Sequence, residues 1–116
     1  MADIKFTSNV NDILSALEKG KHNALTAIGA TAETHTKENI TADKLVDTGR
    51  LRNSISHAVD GEAAYIGTNV EYAPYLELGT KKITAHHYLK RAVTEHQDEY
   101  KNLTAQAIKT AINNSQ

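Results

Sequence analysis

The side chains best suited to bind a metal ion are the neighbouring pair His86 and His87, at the start of a predicted helix, together with His96 further along it. Imidazole suits zinc, copper and nickel. Neighbouring side chains on a helix point about 100° apart, so the pair does not face one site and His96 does not join it. The chain has no HExxH motif and no acidic residue four positions after either member of the pair. The sequence therefore predicts no metal site and no cofactor.

Candidate catalytic groups are equally poor. Glu71 and Glu77 are both carboxylates, but acid–base catalysis needs burial or a like charge that raises the pKa of one of them. Nothing in the sequence brings the two together. Ser54, Ser56 and His57 lack the glycine-flanked elbow that presents a nucleophile. Because neither a nucleophile–base pair nor a metal constellation is visible, the sequence predicts that the protein is not an enzyme.

Residues 48–52, with the sequence TGRLR, allow several interpretations. Arg50 and Arg52 beside a glycine could hold phosphate, because guanidinium groups match its oxygens, although neither a Walker loop nor a GxGxxG turn is present. They could instead pair with surface carboxylates. They could also make inter-subunit contacts, since arginine is enriched at interfaces. The residues alone leave these interpretations open.

Length and composition limit the class of protein. The chain has 116 residues, which suits a single domain over residues 1–116 with one modest core. A net charge of −1 argues against binding nucleic acid through a broad basic surface. The lack of cysteine excludes disulfides and thiolate metal sites. No apolar run approaches the ~18–20 residues of a membrane span, so a soluble protein with no membrane partner is expected.

Two long segments have the apolar spacing of helices. The second segment runs from Tyr88 to about Asn113. In the first, Gly20 is expected to weaken the helix by about 1 kcal/mol relative to alanine and to bend or break it. The first segment reaches about Asn39, and its apolar stripe consists of Val10, Ile13, Leu14, Leu17, Ala24, Leu25, Ile28, Ala32 and His35.

The intervening segment has the pattern of a short sheet. Residues 54–60 and 62–68 alternate as strands around Asp60-Gly61, a strong hairpin turn because both positions tolerate positive φ. Residues 2–6 also alternate as a strand. Pro74 and Gly79 are typical of the start and end of a short helix over residues 73–78. The predicted fold is α+β, with two long helices packed on one face of this small antiparallel sheet.

These segments together resemble a known family. The order is DTGRLRNSI, a hairpin ending in YIGTN, then EYAPYLELGT, then a helix opening with an aromatic–leucine pair. It resembles small morphogenesis proteins of long-tailed bacteriophages, the neck or tail-completion components also described as head–tail joining or minor structural proteins. The resemblance covers essentially the whole chain. Where the family commonly has A-x-P-F-L, this chain has His87 and Tyr88 for the proline and phenylalanine, which leaves the start of the last helix open.

The resemblance implies a non-enzymatic ring component of the head–tail junction (neck, head–tail joining or tail terminator), located in the virion and assembled in the cytoplasm of the bacterial host. Its implied partners are further copies of itself, the head-completion or stopper protein and the tail-tube protein, with DNA only as passing cargo. The alternative is a non-enzymatic interaction module of prophage origin without a current virion role. Residues 40–52 and 72–83 are predicted to carry the contacts, chiefly through Asp47, Thr48, Arg50, Leu51, Arg52, Tyr72, Tyr75, Glu77, Thr80, Lys81 and Lys82.

Overall fold

The structure is a computed structural model that describes residues 6–45 and 49–114, with side-chain environments from Val10 onward. Its elements in chain order are α1 (Phe6–Ala42), α2 (Arg50–Ser54), β1 (Ser56–Val59), β2 (Ala64–Gly67), α3 (Ala73–Leu78), α4 (Tyr88–Thr94) and α5 (Gln97–Asn114). The chain is mostly helical with a small two-stranded antiparallel sheet, so the α+β class is confirmed in broad terms. The strand predicted at residues 2–6 lies outside the described residues except for Phe6, which is the first residue of α1.

Helix α1 is one uninterrupted helix of 37 residues. The break expected at Gly20 does not occur. Small residues spaced four apart, Ala16, Gly20 and Ala24, are buried on one side of α1, and Gly20 lies against Ile108 and Ala111 of α5. Glycine is used here for close helix packing, which offsets its poor helix propensity.

The second long helix is interrupted, contrary to the prediction, by a turn at residues 95–96 that separates α4 from α5. The Tyr100 hydroxyl donates a 2.5 Å hydrogen bond to the carbonyl of Ala92, near the end of α4. Asp98 and Glu99 lie in the first turn of α5, where negative charge is favourable. The hydrogen bond at the end of α4 and the acidic residues at the start of α5 both stabilise the turn that separates these helices.

The hairpin is confirmed, with shorter strands than predicted. Ser56 pairs with Gly67 and Val59 pairs with Ala64. The backbone N–H of Asp60 donates to the carbonyl of Ala63, so the turn centres one residue later than expected. The Asp60 carboxylate accepts the N–H groups of residues 62 and 63 at 2.9 Å each. The turn therefore depends on an aspartate side chain, and Gly61 is not among the residues with positive φ.

The main core lies at the carboxyl end of α1. It is formed by the buried residues Ile40, Leu51, Ile55, Val70, Ala73 and Tyr88. Tyr88 is 0% exposed, and its hydroxyl donates a 2.8 Å hydrogen bond to the carbonyl of Ala73. Burial raises the pKa of Tyr88 to about 12. This core joins α1, α2, the segment after β2, α3 and α4.

Helix α1 packs against the hairpin, α2, α4 and α5, whereas α5 packs mainly along α1. The result is an elongated molecule of 76 × 23 × 22 Å. The short helix predicted at residues 73–78 is confirmed, with Pro74 in its first turn and Gly79 at φ 78° just beyond its end. Within the described part of the chain, no helix combines the length and the apolar composition needed to cross a membrane.

Candidate functional site

Arg50 and Glu71 form a two-point ion pair on the surface. The Nη1 and Nη2 groups of Arg50 donate to Oε1 and Oε2 of Glu71 at 3.1 and 2.8 Å. The guanidinium carbon also lies 5.6 Å from the centre of the Tyr72 ring. The hydrogen bonds from Arg50 lower the pKa of Glu71. The sequence left three interpretations of Arg50 open, and in the single chain Arg50 pairs with a carboxylate. A phosphate group would have to compete with Glu71 for the Arg50 guanidinium.

The structure corrects two predicted contact residues. Leu51 is 1% exposed and belongs to the core, so it cannot form an intermolecular surface. The Glu77 side chain is 13% exposed. Its Oε1 and Oε2 accept the backbone N–H groups of Leu89 and Lys90 at 2.8 and 3.3 Å. Glu77 therefore caps the start of α4 from a neighbouring element, which is a structural role.

The structure defines the start of the last helical segment, which the sequence left open at His87. His87 precedes α4 with φ 51°, a left-handed conformation. Its N–H donates to the carbonyl of Glu77 at 3.1 Å. Proline fixes φ near −65° and has no N–H, so it cannot adopt this conformation or make this bond. Histidine at this position permits the tight entry into α4.

The segment after α3 forms an exposed turn. Thr80 Oγ1 accepts the backbone N–H groups of Lys82 and Ile83 at 3.2 and 3.0 Å, and the Thr80 N–H donates to the Ile83 carbonyl. Lys81 and Lys82 are therefore held at an exposed tip. Arg52 is also exposed. Asp47 and Thr48, the remaining predicted contact residues, lie outside the described residues.

One exposed apolar surface surrounds α3. Tyr75, Leu78 and Ile83 are 57%, 70% and 37% exposed, and we call them the α3 patch. Leu78 borders a shallow groove whose lining is largely apolar, formed by Val70, Ala73, Pro74, Tyr88 and Leu89 among others. Tyr75 was predicted as a contact residue. Leu78 and Ile83 fall within the predicted segment 72–83 but were not singled out.

A second exposed apolar surface lies near the start of α1. Val10, Ile13, Leu14 and Leu17 are 49%, 45%, 56% and 37% exposed, and we call them the α1 stripe. Their spacing of three and four residues places them on one face of the helix. The sequence placed them on the same apolar stripe as Ala24 and Ala32, which are buried, whereas these four side chains remain exposed. Helix α5 instead lies against Gly20 of α1. The apolar periodicity of the sequence identified this face of α1, but it could not show that no other element in the described part of the chain covers it.

The α1 stripe and the α3 patch lie at opposite ends of the molecule. Ile40, near the end of α1, is in the same core cluster as Ala73, the first residue of α3. Leu14 and Ile40 are separated by about 39 Å along the helix, at 1.5 Å per residue. The two surfaces therefore cannot meet within one chain, because the α1 stripe lies near the start of α1 and the α3 patch lies beside the core at the other end of that helix.

The histidines have separate environments. His86 Nδ1 lies 3.2 Å from a carboxylate oxygen of Asp43, which also accepts a hydrogen bond from Arg91 at 2.6 Å. His87 Nδ1 is 3.7 Å from Glu77. His96 instead stacks on His35, the last member of the stripe predicted for the first helix. Glu99 completes this group, and one ligand atom from each of the three residues lies within 4.8 Å of the others.

The residues weighed as catalytic groups are engaged in local structure. His57 Nδ1 lies 3.1 Å from Glu33 Oε1. The Ser54 hydroxyl donates to the carbonyl of Leu51 at 2.6 Å. Glu71 pairs with Arg50, as described above. The His57–Glu33 and Arg50–Glu71 contacts join different elements, whereas the Ser54–Leu51 hydrogen bond closes the last turn of α2.

Comparisons of the chain with protein-family models, with curated proteins and with solved structures found no match.

Proposed function

We propose that this chain is a ring-forming structural component of the head–tail junction of a long-tailed bacteriophage, acting in the neck, in head–tail joining or as a tail terminator. The motifs DTGRLRNSI, YIGTN and EYAPYLELGT support the family resemblance. The structural observation that carries the proposal is the presence of two different exposed apolar surfaces, the α1 stripe and the α3 patch, at opposite ends of an elongated chain.

A ring built by head-to-tail contacts needs two different, complementary surfaces on each subunit. In this proposal the α1 stripe of one copy packs on the α3 patch of the next. A helix presenting apolar side chains three and four residues apart suits an apolar groove, and the groove beside Leu78 provides one. Both surfaces stay uncovered in the single chain, which agrees with assembly on a partner.

The surroundings of the α3 patch supply polar specificity. The Arg50–Glu71 pair, with Tyr72 beneath the guanidinium, presents charges in a fixed geometry. Lys81 and Lys82 extend from the turn that follows α3. Charged groups at the rim of an apolar contact set register and exclude wrong partners more than they add affinity. The stopper and tail-tube proteins are the further partners that the proposal implies.

DNA is passing cargo in this account. A net charge of −1 leaves little excess positive charge to neutralise phosphates. The subunit therefore shapes a channel without gripping the DNA inside it.

The test is deletion of the gene from the inducible phage or prophage that encodes it, followed by electron microscopy of the lysate. Full heads beside unjoined tails of normal length are expected for a joining role, and tails of uncontrolled length for a terminator role. Complementation with the wild-type gene should restore complete particles. Normal infectious particles from the deletion would overturn the proposal and favour the interaction module of prophage origin without a current virion role.

A further inference from the structure

A compact cluster of metal-ligating side chains lies where α1 meets the turn between α4 and α5. His35 projects from α1, His96 lies in the turn and Glu99 lies in the first turn of α5. His35 Nε2 is 2.5 Å from Glu99 Oε1. The two imidazole rings stack with centroids 3.5 Å apart and planes within 2° of parallel. One nitrogen or oxygen from each residue lies within 4.8 Å of the other two.

We propose that His35, His96 and Glu99 bind a divalent transition-metal ion, with Zn²⁺ as the best match. Two imidazole nitrogens and one carboxylate oxygen, without thiolate, suit Zn²⁺ better than Mg²⁺ or Ca²⁺. A tetrahedral site with bonds of about 2.0–2.2 Å keeps its ligand atoms about 3.3–3.6 Å apart. To reach that spacing, His35 Nε2 and Glu99 Oε1 must move apart from their 2.5 Å separation, and the stacked rings must splay so that both imidazole nitrogens face the ion.

Solvent supplies the fourth ligand. The Glu99 side chain is 48% exposed, whereas that of His35 is 15% exposed. The cluster borders a surface depression that is also lined by residues 94, 95, 97 and 98. Water therefore reaches the open side of the site, and α1 closes the other side.

The surroundings of His35 match those of a metal-bound histidine. Its buried Nδ1 has no hydrogen-bond partner among the described residues. That atom lies 3.6 Å from Glu38 Oε2, one turn further along α1. A ligating histidine commonly donates its second N–H to a carboxylate, which fixes the tautomer and orients the ring. With the metal on Nε2, Nδ1 carries the proton and Glu38 is the carboxylate within reach.

Binding also fixes the tautomer of His35. A ring nitrogen must carry no proton to ligate a metal, so the neutral His35 ring holds its proton on Nδ1 and leaves Nε2 free for the ion. The ion then joins α1 to the α4–α5 turn, where the Tyr100 ring already packs edge-on to His35 at 6.5 Å. The expected role is a clamp on this turn, independent of the assembly contacts proposed above.

The test is titration of the purified full chain, without a polyhistidine tag and after treatment with a chelator, with ZnCl₂ in a calorimeter. Wild type should bind one ion per chain. His96→Gln should weaken binding at least 100-fold, and Glu38→Gln should weaken it about 10-fold, in the range for an outer carboxylate partner. His22→Gln is the matched control, because His22 is an exposed histidine on the same helix. Circular dichroism establishes that each variant is folded.

Nuclear magnetic resonance of the imidazole nitrogens provides a second readout on the same samples. Signals of His35 and His96 should shift on addition of Zn²⁺, while those of His22 and His57 stay in place. Absence of binding by wild type, undiminished binding by folded His96→Gln, or loss of binding in His87→Gln instead would overturn the proposal.

Discussion

Gly20 of α1 lies directly against the backbone of Ile108 on α5. A Cβ atom placed on Gly20 would be 2.9 Å from the Ile108 Cα and 3.3 Å from the Ala107 carbonyl oxygen. These neighbours are backbone atoms, which cannot move aside as a flexible side chain can. The closest approach of the two longest helices therefore depends on the missing side chain.

Overpacking by Gly20→Ala is expected to cost about 2–3 kcal/mol, the upper part of the usual range, because the atoms that the new methyl group meets are backbone. The gain in helix propensity offsets about 1 kcal/mol of this cost, so a net loss of stability of about 1–2 kcal/mol is expected. Urea unfolding followed by circular dichroism measures the difference. Gly61→Ala is the control, because no atom lies within 4 Å of its added Cβ. A Gly20→Ala variant as stable as wild type would contradict this packing.

The α1 stripe is expected to serve assembly and not folding. Leu14→Asp combined with Leu17→Asp should change the free energy of unfolding by less than about 1 kcal/mol, since these side chains are 56% and 37% exposed. Complementation of a gene deletion with this variant should yield few complete particles. Leu51→Ala, at a site 1% exposed, should instead lose about 2–5 kcal/mol of stability. A full yield of particles from the Leu14→Asp, Leu17→Asp variant would show that the α1 stripe is not needed for assembly.

The Arg50–Glu71 pair allows an intramolecular role to be separated from an intermolecular one. Arg50→Glu places two carboxylates together and should reduce particle yield. The double variant Arg50→Glu, Glu71→Arg restores an ion pair within the chain, with its direction reversed. If Arg50 contacts a neighbouring subunit, the double variant should remain defective in assembly, and the yield of infectious particles should stay low. Full rescue by the exchange would show that the pair acts only within the chain.

Glu33 is expected to make stability depend on pH. The hydrogen bond with His57, followed by that with Lys37, lowers the pKa of Glu33 below its ordinary value of 4.5. Its ionised form thus stabilises the fold above about pH 4.5, and this contribution is lost as pH falls through the lowered pKa.

Glu33→Gln should therefore be less stable than wild type at pH 7, and the difference should vanish in acid. Urea unfolding at a series of pH values gives both curves. Glu18→Gln, at an exposed carboxyl on the same helix, is the control and should follow wild type. A constant difference between Glu33→Gln and wild type at every pH would contradict the assignment.

Local chemistry was sufficient to predict several elements. Pro74 and Gly79 bracket α3 as expected, because each acts on the backbone of its own position. Strand alternation identified the hairpin, since one-sided burial imposes a period of two. The turn was displaced by one residue because the Asp60 side chain, accepting two backbone N–H groups, decides its geometry.

Tertiary contacts account for what the sequence could not predict. The apolar stripe continues across residues 95–96, so periodicity could not locate the break that Tyr100 and Ala92 stabilise. His35 and Glu99 are 64 positions apart, and no spacing rule connects them. Leu51 and Glu77 were assigned to a contact surface because their type and position suit one, but burial and capping are decided by elements distant in sequence.

In the proposed ring, the α1 stripe of each copy contacts the α3 patch of the next copy within the virion. The chain has no cysteine, so Leu14→Cys and Leu78→Cys introduce the only thiols. Within one chain these positions lie too far apart for a short bismaleimide, since α1 separates the two surfaces by about 39 Å. In the double variant, any cross-link between the two introduced thiols must therefore join neighbouring copies, and each copy can be linked to the copy on either side.

The most direct measurement is treatment of purified virions carrying these variants with a short bismaleimide, followed by denaturing electrophoresis and detection of this chain. A ladder of covalent multimers is expected from the double variant, and monomers are expected from each single variant. Absence of the chain from virions, or virions whose double variant gives only monomers, would contradict the account.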